Sequence, residues 1–289
     1  MRKVALFGGS FDPPHLGHIN IVNTLSKLEY IDEIIVMPTF LNPFKSSSFA
    51  PAKLRLKWLT EAFVAFEKVK VSSYEVSQNQ KVPTIETVNF LLKNYEKIYL
   101  VIGADNLKSL NNWHRFHELK SKVTFIVATR EMINIPQEFI TLRIDENISS
   151  SELRNKIDKN YLPKINAQEI MQYYQRKEMK NRIQKITDVL DINKAESIEV
   201  FDLKGKNYFV DYAIIASSLG TKHTTALLDH LKKDLKPEEY FNNVDESGDW
   251  VVVDLGDILI HIMTPEYRIK YDMENFLNTL SQNTTSQES

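Results

Sequence analysis

The chain has 289 residues, 43% of them hydrophobic and 26% charged, which is the composition of a folded globular chain and not of a disordered or membrane-embedded one. It has no cysteine, which excludes disulfides, thiolate metal sites and thiol redox chemistry. The formal net charge of −2 hides an asymmetry, with 24 Lys+Arg against 19 Asp+Glu through Glu178 and 12 against 19 from Met179 onward, so a half suited to anionic small molecules precedes one suited to a basic partner or to solubility.

Met-Arg-Lys leads straight into a short strand pattern, and no apolar run approaches the roughly 18 residues of a membrane span. Neither a secretory signal nor a membrane contact is expected, and the chain reads as cytoplasmic. Four short apolar runs read as strands buried on both faces: "KVALFG", "EIIVMPT" (Glu33–Thr39), "KIYLVIG" (Lys97–Gly103) and "KVTFIVAT" (Lys122–Thr129). Between them "HINIVNTLSKL", "PAKLRLKWLTEAFVAF" and "TIETVNFLLKNY" carry apolar residues at helical spacings of three and four. Strands alternating with helices predict an α/β fold with a Rossmann-like, doubly wound parallel sheet. "NAQEIMQYYQRKEMKNRIQKITDVLD" (Asn166–Asp191) is helical and highly charged around Arg176–Arg182, and a domain boundary is expected there, between 1–178 and 179–280. Beyond it "SIEVFDL", "DYAIIAS", "WVVVDL" and "DILIHIM" read as strands, with "TKHTTALLDHLKKDL" and "PEYRIKYDMENFLNTL" as helices. They predict a second, smaller α/β domain with a mixed sheet. The polar residues 281–289 read as a disordered tail.

The densest chemistry lies in "GGSFDPPHLGH", residues 8–18, at the carboxyl end of the first strand, where ligands of such sheets bind. Gly8 and Gly9 let the backbone approach a ligand, and Pro13 and Pro14 stiffen the lead into a helix that begins near His15. His15 and His18, three apart, project on one face at the positive end of that helix, and the combination reads as a phosphate grip. A zinc site is disfavoured, because no third ligand is apparent. In "NISSSELRNKI" (Asn147–Ile157), Ser149 and Glu152 fit a capping box, Ser150 and Ser151 offer donors at the helix start, and Arg154 adds a cation one turn in. This is a second anion site. In "VIGADNL", Gly103 and Asp105 follow a buried strand, and Asp105 has two readings: acceptor for ribose hydroxyls or cap of the next helix. Lys45, Thr84 and Trp113 complete the candidates of this half.

"GGSFDPPHLGH" with "ISSSELR" resembles the paired signature of the cytidylyltransferase-like nucleotidyltransferase superfamily. "VPTIET", "GADNL" and "NNWHRFHEL" narrow the resemblance to the bacterial nicotinate-mononucleotide adenylyltransferases, over about residues 1–176. The resemblance implies adenylyl transfer from ATP to nicotinate mononucleotide, giving deamido-NAD and pyrophosphate. It implies that His15, His18 and Arg154 are catalytic, and that Gly8, Gly9, Ser10, Phe11, Lys45, Gly103, Asp105, Ser150 and Ser151 belong to the ATP and phosphate site. Thr84 and Trp113 fall at the pyridine end. Two positions depart from the usual pattern: Ser151 stands where threonine is common, and Phe44 precedes Lys45 where histidine is frequent. Mg²⁺ is expected mainly on ATP oxygens, since the sequence offers no dedicated carboxylate cage.

The second half has no glycine-rich phosphate loop. Asp254, Asp257 and His261 have the makings of a catalytic cluster, but a half-buried His261 satisfied by Asp257 on the same strand face is the expectation. "DYAIIASSLGTKHTTALLDHL" with Trp250, Asp254, Gly256, His261, Arg268 and Tyr271 resembles the ribosome-silencing factor (Iojap) family, over about Met179–Leu280. That resemblance implies binding to a protein of the large ribosomal subunit and interference with subunit joining. Trp250, Arg268 and Tyr271 are the candidate interface, the last two sharing a helical face. The whole therefore reads as an NAD-biosynthetic adenylyltransferase fused to a ribosome-silencing module. Two alternatives stay open: another adenylyltransferase of the fold, such as one acting on phosphopantetheine, and a non-catalytic nucleotide sensor that regulates the ribosome.

Overall fold

The computed structural model describes residues 2–129, 135–144, 148–236 and 238–282. The chain divides into two compact units, Met1–Arg176 and Lys177–Ser289.

In the first unit β1 (Lys3–Gly9), α1 (Leu16–Ser26), β2 (Glu33–Pro38), α2 (Ala52–Phe63), β3 (Val69–Val71), α3 (Tyr74–Ser77), α4 (Thr84–Leu91), β4 (Lys97–Gly103), α5 (Phe116–Lys122), β5 (Val123–Thr129), β6 (Ile140–Arg143) and α6 (Ser150–Asn155) follow in order, with a 3₁₀ helix at Ala104–Asn112. The six strands form one sheet in the order β3-β2-β1-β4-β5-β6, and every pairing is parallel. This is the doubly wound order, with its reversal between β1 and β4. The sheet has two cores. On one face Ala5, Phe7, Val36 and Ile126 pack with Val22, Leu25 and Leu59 of α1 and α2. On the other Leu6, Ile35, Leu100 and Val127 pack with Ile85, Val88 and Leu119 of α4 and α5. Burial on both faces is why the central strands read as unbroken apolar runs. β3 and β6 are edge strands, short and only partly buried, and carry no such signal.

Helix α7 (Ala167–Ile192) contains the point where the two units divide. After it come β7 (Glu196–Asp202), β8 (Tyr212–Ser217), α8 (Thr221–Leu235), β9 (Asn243–Glu246), β10 (Trp250–Asp254), β11 (Ile258–Met263), α9 (Pro265–Tyr271) and α10 (Met273–Gln282). The second sheet has the order β7-β8-β11-β10-β9, and only β8 and β11 run parallel. It is a mixed sheet, as the sequence predicts. Two differences stand out. The polar edge strand β9 has no apolar pattern and was not expected. "PEYRIKYDMENFLNTL" is two helices, because Asp272 adopts a left-handed backbone (φ 43°) that ends α9. Of the residues expected to form the tail, Ser281 and Gln282 belong to α10, and residues 283–289 lie outside the described residues.

Candidate functional site

At the reversal point, the carboxyl ends of β1 and β4 open onto a cavity of about 350 Å³. Gly8, Gly9, Ser10, Lys45, Thr84, Gly103, Asp105 and Trp113 all line it, although they come from five separate stretches of sequence. A Cβ on Gly103 would collide with the Asp105 carboxylate as it stands, so a larger residue there would turn that side chain away. Asp105 does not cap the helix that follows. It lies inside the 3₁₀ turn, with Gly103 at the cap, and accepts from Asn106 Nδ2 at 3.2 Å. Two buried donors on the cavity wall, the Thr39 hydroxyl and the Trp113 indole N–H, have no partner among the described residues. A buried donor without an acceptor costs on the order of 1–3 kcal/mol, so these two point to a polar ligand.

His15, His18 and the α6 start form a second cluster, joined to the cavity through Ser10 and Phe11. The expected helical face is reached in a different way, because His15 stands outside α1 as its N-cap, with extended backbone. The two rings nevertheless stack, with centroids 3.7 Å apart. The His15 backbone N–H donates to His18 Nδ1 at 3.1 Å, which assigns the proton of neutral His18 to Nε2 and makes that atom a donor. Phe11 and Phe7 hold the His18 ring from the side, with centroids at 4.8 and 6.0 Å. Phe11 itself is buried, in a left-handed backbone (φ 49°), so any phosphate contact it makes is through the main chain.

The two sequence motifs meet here. Ser150 Oγ donates to the Pro13 carbonyl at 3.0 Å, while Arg154 donates to the Asp12 carbonyl and, at 2.9 Å, to Ser151 Oγ. Ser149 and Glu152 make the expected capping box; Asn147, at the start of that motif, lies outside the described residues. Together they form a cradle of cationic and neutral donors beside the cavity, suited to the phosphates of a nucleotide.

Three residues that build the site carried no sequence signal of function. Asp12 is buried and accepts from the Phe49 and Ala50 amides at 2.7 and 2.9 Å and from the Tyr174 hydroxyl. Burial and the Asp12 charge push the Tyr174 hydroxyl far above its ordinary pKa, so it remains a donor. Arg55, fully buried on α2, donates to the carbonyls of Ala50, Thr39 and Phe40 at 2.9–3.0 Å and to that of Ser10. Burial lowers its pKa, and the Asp12 charge opposes that shift. The one available clue was an arginine on the apolar stripe of a predicted helix.

In the second unit the triad of Asp254, Asp257 and His261 dissolves. Asp254 caps the turn at the Gly256 amide (2.6 Å), and Asp257 pairs with Arg182 (2.7 Å). His261 is buried rather than half-buried, and its partner is the Trp250 indole at 3.2 Å, not Asp257. Burial pushes its pKa down to about 4, so it is neutral at physiological pH. Arg268 also departs from expectation. It is buried and bonded to Glu199, Glu274, Ser217 Oγ and the Ser197 carbonyl, which leaves no cation for an outside partner. Tyr271 remains exposed, its ring 4.9 Å from that of Trp250, with Lys270 over it.

Comparison with known proteins agrees with this division. A family profile described as Cytidylyltransferase-like matches residues 6–156, and one described as Ribosomal silencing factor during starvation matches residues 176–288. A probable nicotinate-nucleotide adenylyltransferase of Sulfurimonas denitrificans is 57% identical over 180 residues, covering 62% of this chain and 99% of the relative. One from Nitratiruptor sp. is 46% identical over 174 residues, covering 60% and 98%. Among solved structures, the Plasmodium falciparum nicotinic acid mononucleotide adenylyltransferase complexed with NaAD aligns with TM-score 0.52 over 61% of this chain and 98% of that one. At 24% identity this last likeness speaks to the fold alone.

Proposed function

We propose, for a chain that belongs to the cytidylyltransferase-like family and within it to the nicotinate-nucleotide adenylyltransferases, that residues 1–178 transfer the adenylyl group of ATP to nicotinate mononucleotide, releasing pyrophosphate and deamido-NAD. The observation that carries this reading is the cavity at the β1/β4 reversal, with its unpartnered donors, beside the His18–Arg154 cradle. An oxygen of the mononucleotide phosphate attacks the α-phosphorus of ATP. The bond from that phosphorus to the bridging oxygen breaks, and pyrophosphate leaves with the electron pair. The attacking phosphate is already anionic at neutral pH, so no protein base or nucleophile is needed. The protein must bring two anions together, which positioning can favour by roughly 7–11 kcal/mol, and stabilise the charge on the leaving group.

In this reading the main chain of Gly8–Phe11 lets the triphosphate approach. His15, His18 Nε2–H, Ser150, Ser151 and Arg154 hold it, and Lys45 adds a cation from the loop. Gly103 and Asp105 meet the nucleotide's ribose, and Thr84 and Trp113 the pyridine. Mg²⁺ fits as a counter-ion carried in on ATP. Among the described residues no three His, Asp or Glu side chains converge on a metal-sized space. With ATP and Mg²⁺ the purified protein is expected to release pyrophosphate with nicotinate mononucleotide and not with phosphopantetheine. At pH 7 kcat/KM is expected to be higher for nicotinate mononucleotide than for the amide form. No pyrophosphate with the acid would refute the activity; equal kcat/KM for acid and amide would refute the selectivity.

For residues 179–280 the profile match supports a module that binds the large ribosomal subunit and hinders subunit joining. Its acidic balance, 12 Lys+Arg against 19 Asp+Glu from Met179, steers it toward a basic ribosomal protein rather than rRNA. Trp250 and Tyr271 are its proposed contacts. The full-length chain should co-sediment with large subunits at low salt, and added salt or Tyr271→Ala should weaken the association. Failure of the folded chain to bind at low salt would remove the assignment.

A further inference from the structure

Glu75 is a buried acid on the wall of the same cavity, and the phosphate chemistry makes no use of it. It sits on α3, which is fixed against α4 by the stacked rings of Tyr74 and Phe90, 3.9 Å apart. One of its oxygens accepts from the Thr87 hydroxyl at 2.6 Å. The carboxyl therefore has a defined position, close in sequence to the Val82–Thr84 stretch that lines the same cavity.

Its surroundings hold little charge. On β2, Glu33 pairs with Lys70 and Arg2. On α2, Arg55 is committed to backbone carbonyls, while Lys57 and Glu61 meet each other and Lys57 meets Glu169. Lys53 and, on α4, Glu86 face solvent. The other ionisable groups on the cavity wall are Lys45, Asp105 and His114. With only the Thr87 hydrogen bond to favour its charged form, burial pushes the Glu75 carboxyl up to about 7.

We propose that Glu75 sets the preference between acid and amide at the pyridine substituent, an inference that rests on the reading of Thr84 and Trp113 as the pyridine end. Protonated, it donates a hydrogen bond to the substrate carboxylate. Ionised, it repels that carboxylate and accepts from a carboxamide N–H instead. The preference for the acid is therefore greatest at acid pH, where the carboxyl is protonated, and is lost as the pH rises through the carboxyl's own ionisation.

The test is the ratio of kcat/KM for nicotinate mononucleotide to that for nicotinamide mononucleotide, measured from pH 6 to 9 with saturating MgATP. Both substrates carry the same phosphate and the same co-substrate, so their ionisations cancel in the ratio. In the wild type the ratio should fall at least tenfold across the window. In Glu75→Gln, which keeps an acceptor for Thr87, it should be flat. In Thr87→Val, which removes the hydrogen bond that favours the ionised form, the midpoint should move to higher pH. A flat wild-type ratio overturns the proposal, as does an undiminished slope in Glu75→Gln, which would place the titration on a group other than Glu75. Absence of pyrophosphate release with both mononucleotides at every pH would instead bring down the reading of the cavity itself.

Discussion

His18→Ala is expected to lower kcat by about 10²-fold or more while the dissociation constant for nicotinate mononucleotide changes far less. The expectation follows from how the ring is held. Its Nδ1 accepts from the His15 amide, the His15 ring stacks on one side, and Phe11 meets it edge-on. A ring so constrained loses little freedom when its Nε2–H meets a phosphate oxygen, and a preorganised donor stabilises charge that develops on the leaving pyrophosphate. Alanine removes the donor and also the acceptor of the His15 amide, so a structural loss at the start of α1 must be separated from a catalytic one. Pre-steady-state pyrophosphate release gives the chemical step, titration calorimetry gives mononucleotide binding, and hydrogen exchange across Leu16–Ser26 reports the helix. An intact α1 with a near wild-type kcat would remove His18 from the mechanism. A loss of mononucleotide binding equal to the loss in rate would make it a ground-state contact instead.

What could be read in the sequence, and what could not, divides along physical lines. β1, β2, β4 and β5 were legible because burial on both faces demands unbroken apolar runs. β3, β6 and β9 were not, because an edge strand of three or four partly buried residues is specified mainly by its neighbour's hydrogen bonds, whereas the longer edge strand β7 was legible. The break at Asp272 was hidden for a related reason, since the apolar spacing runs on across it while one left-handed residue turns the backbone. In the site, Gly8, Gly9, His15, His18, Ser150 and Arg154 announced themselves by local motif. Thr39 and Glu75 did not, as each is an ordinary residue until the fold places it on the cavity wall. Asp12 and Tyr174 are 162 positions apart, and no local pattern encodes their hydrogen bond. Arg268 and His261 show the converse error. A motif kept their identities in view, but their work is inside the domain, in an ion-pair network and in a buried indole–imidazole pair.

Arg55 makes the case where a residue of no catalytic motif has the largest expected effect on stability. Its guanidinium ties together the loop after β1, at Ser10, and the loop after β2, at Thr39 and Phe40, and closes on Ala50 at the foot of α2. Lys45 and Ser10 thus owe their relative positions partly to a cation that never meets substrate. Arg55→Met keeps most of the apolar stem and removes every donor. The carbonyl left behind at Ala50 is buried and those at Ser10, Thr39 and Phe40 are part-buried, and Asp12 loses a nearby opposite charge. Each unsatisfied buried group costs on the order of 1–3 kcal/mol, and losing a buried cation from such a network costs about 3–5 kcal/mol in all. The first unit of Arg55→Met should therefore unfold at a markedly lower urea concentration, with the loss of hydrogen-exchange protection concentrated at residues 8–12 and 39–50. Arg55→Lys, which keeps the charge but not the planar fork, should fall between the two. In any folded fraction KM for both nucleotides should rise before kcat falls, because loosened loops weaken binding first. A methionine variant within 1 kcal/mol of the wild type would show that these carbonyls find other partners, and that the loops are held by packing alone.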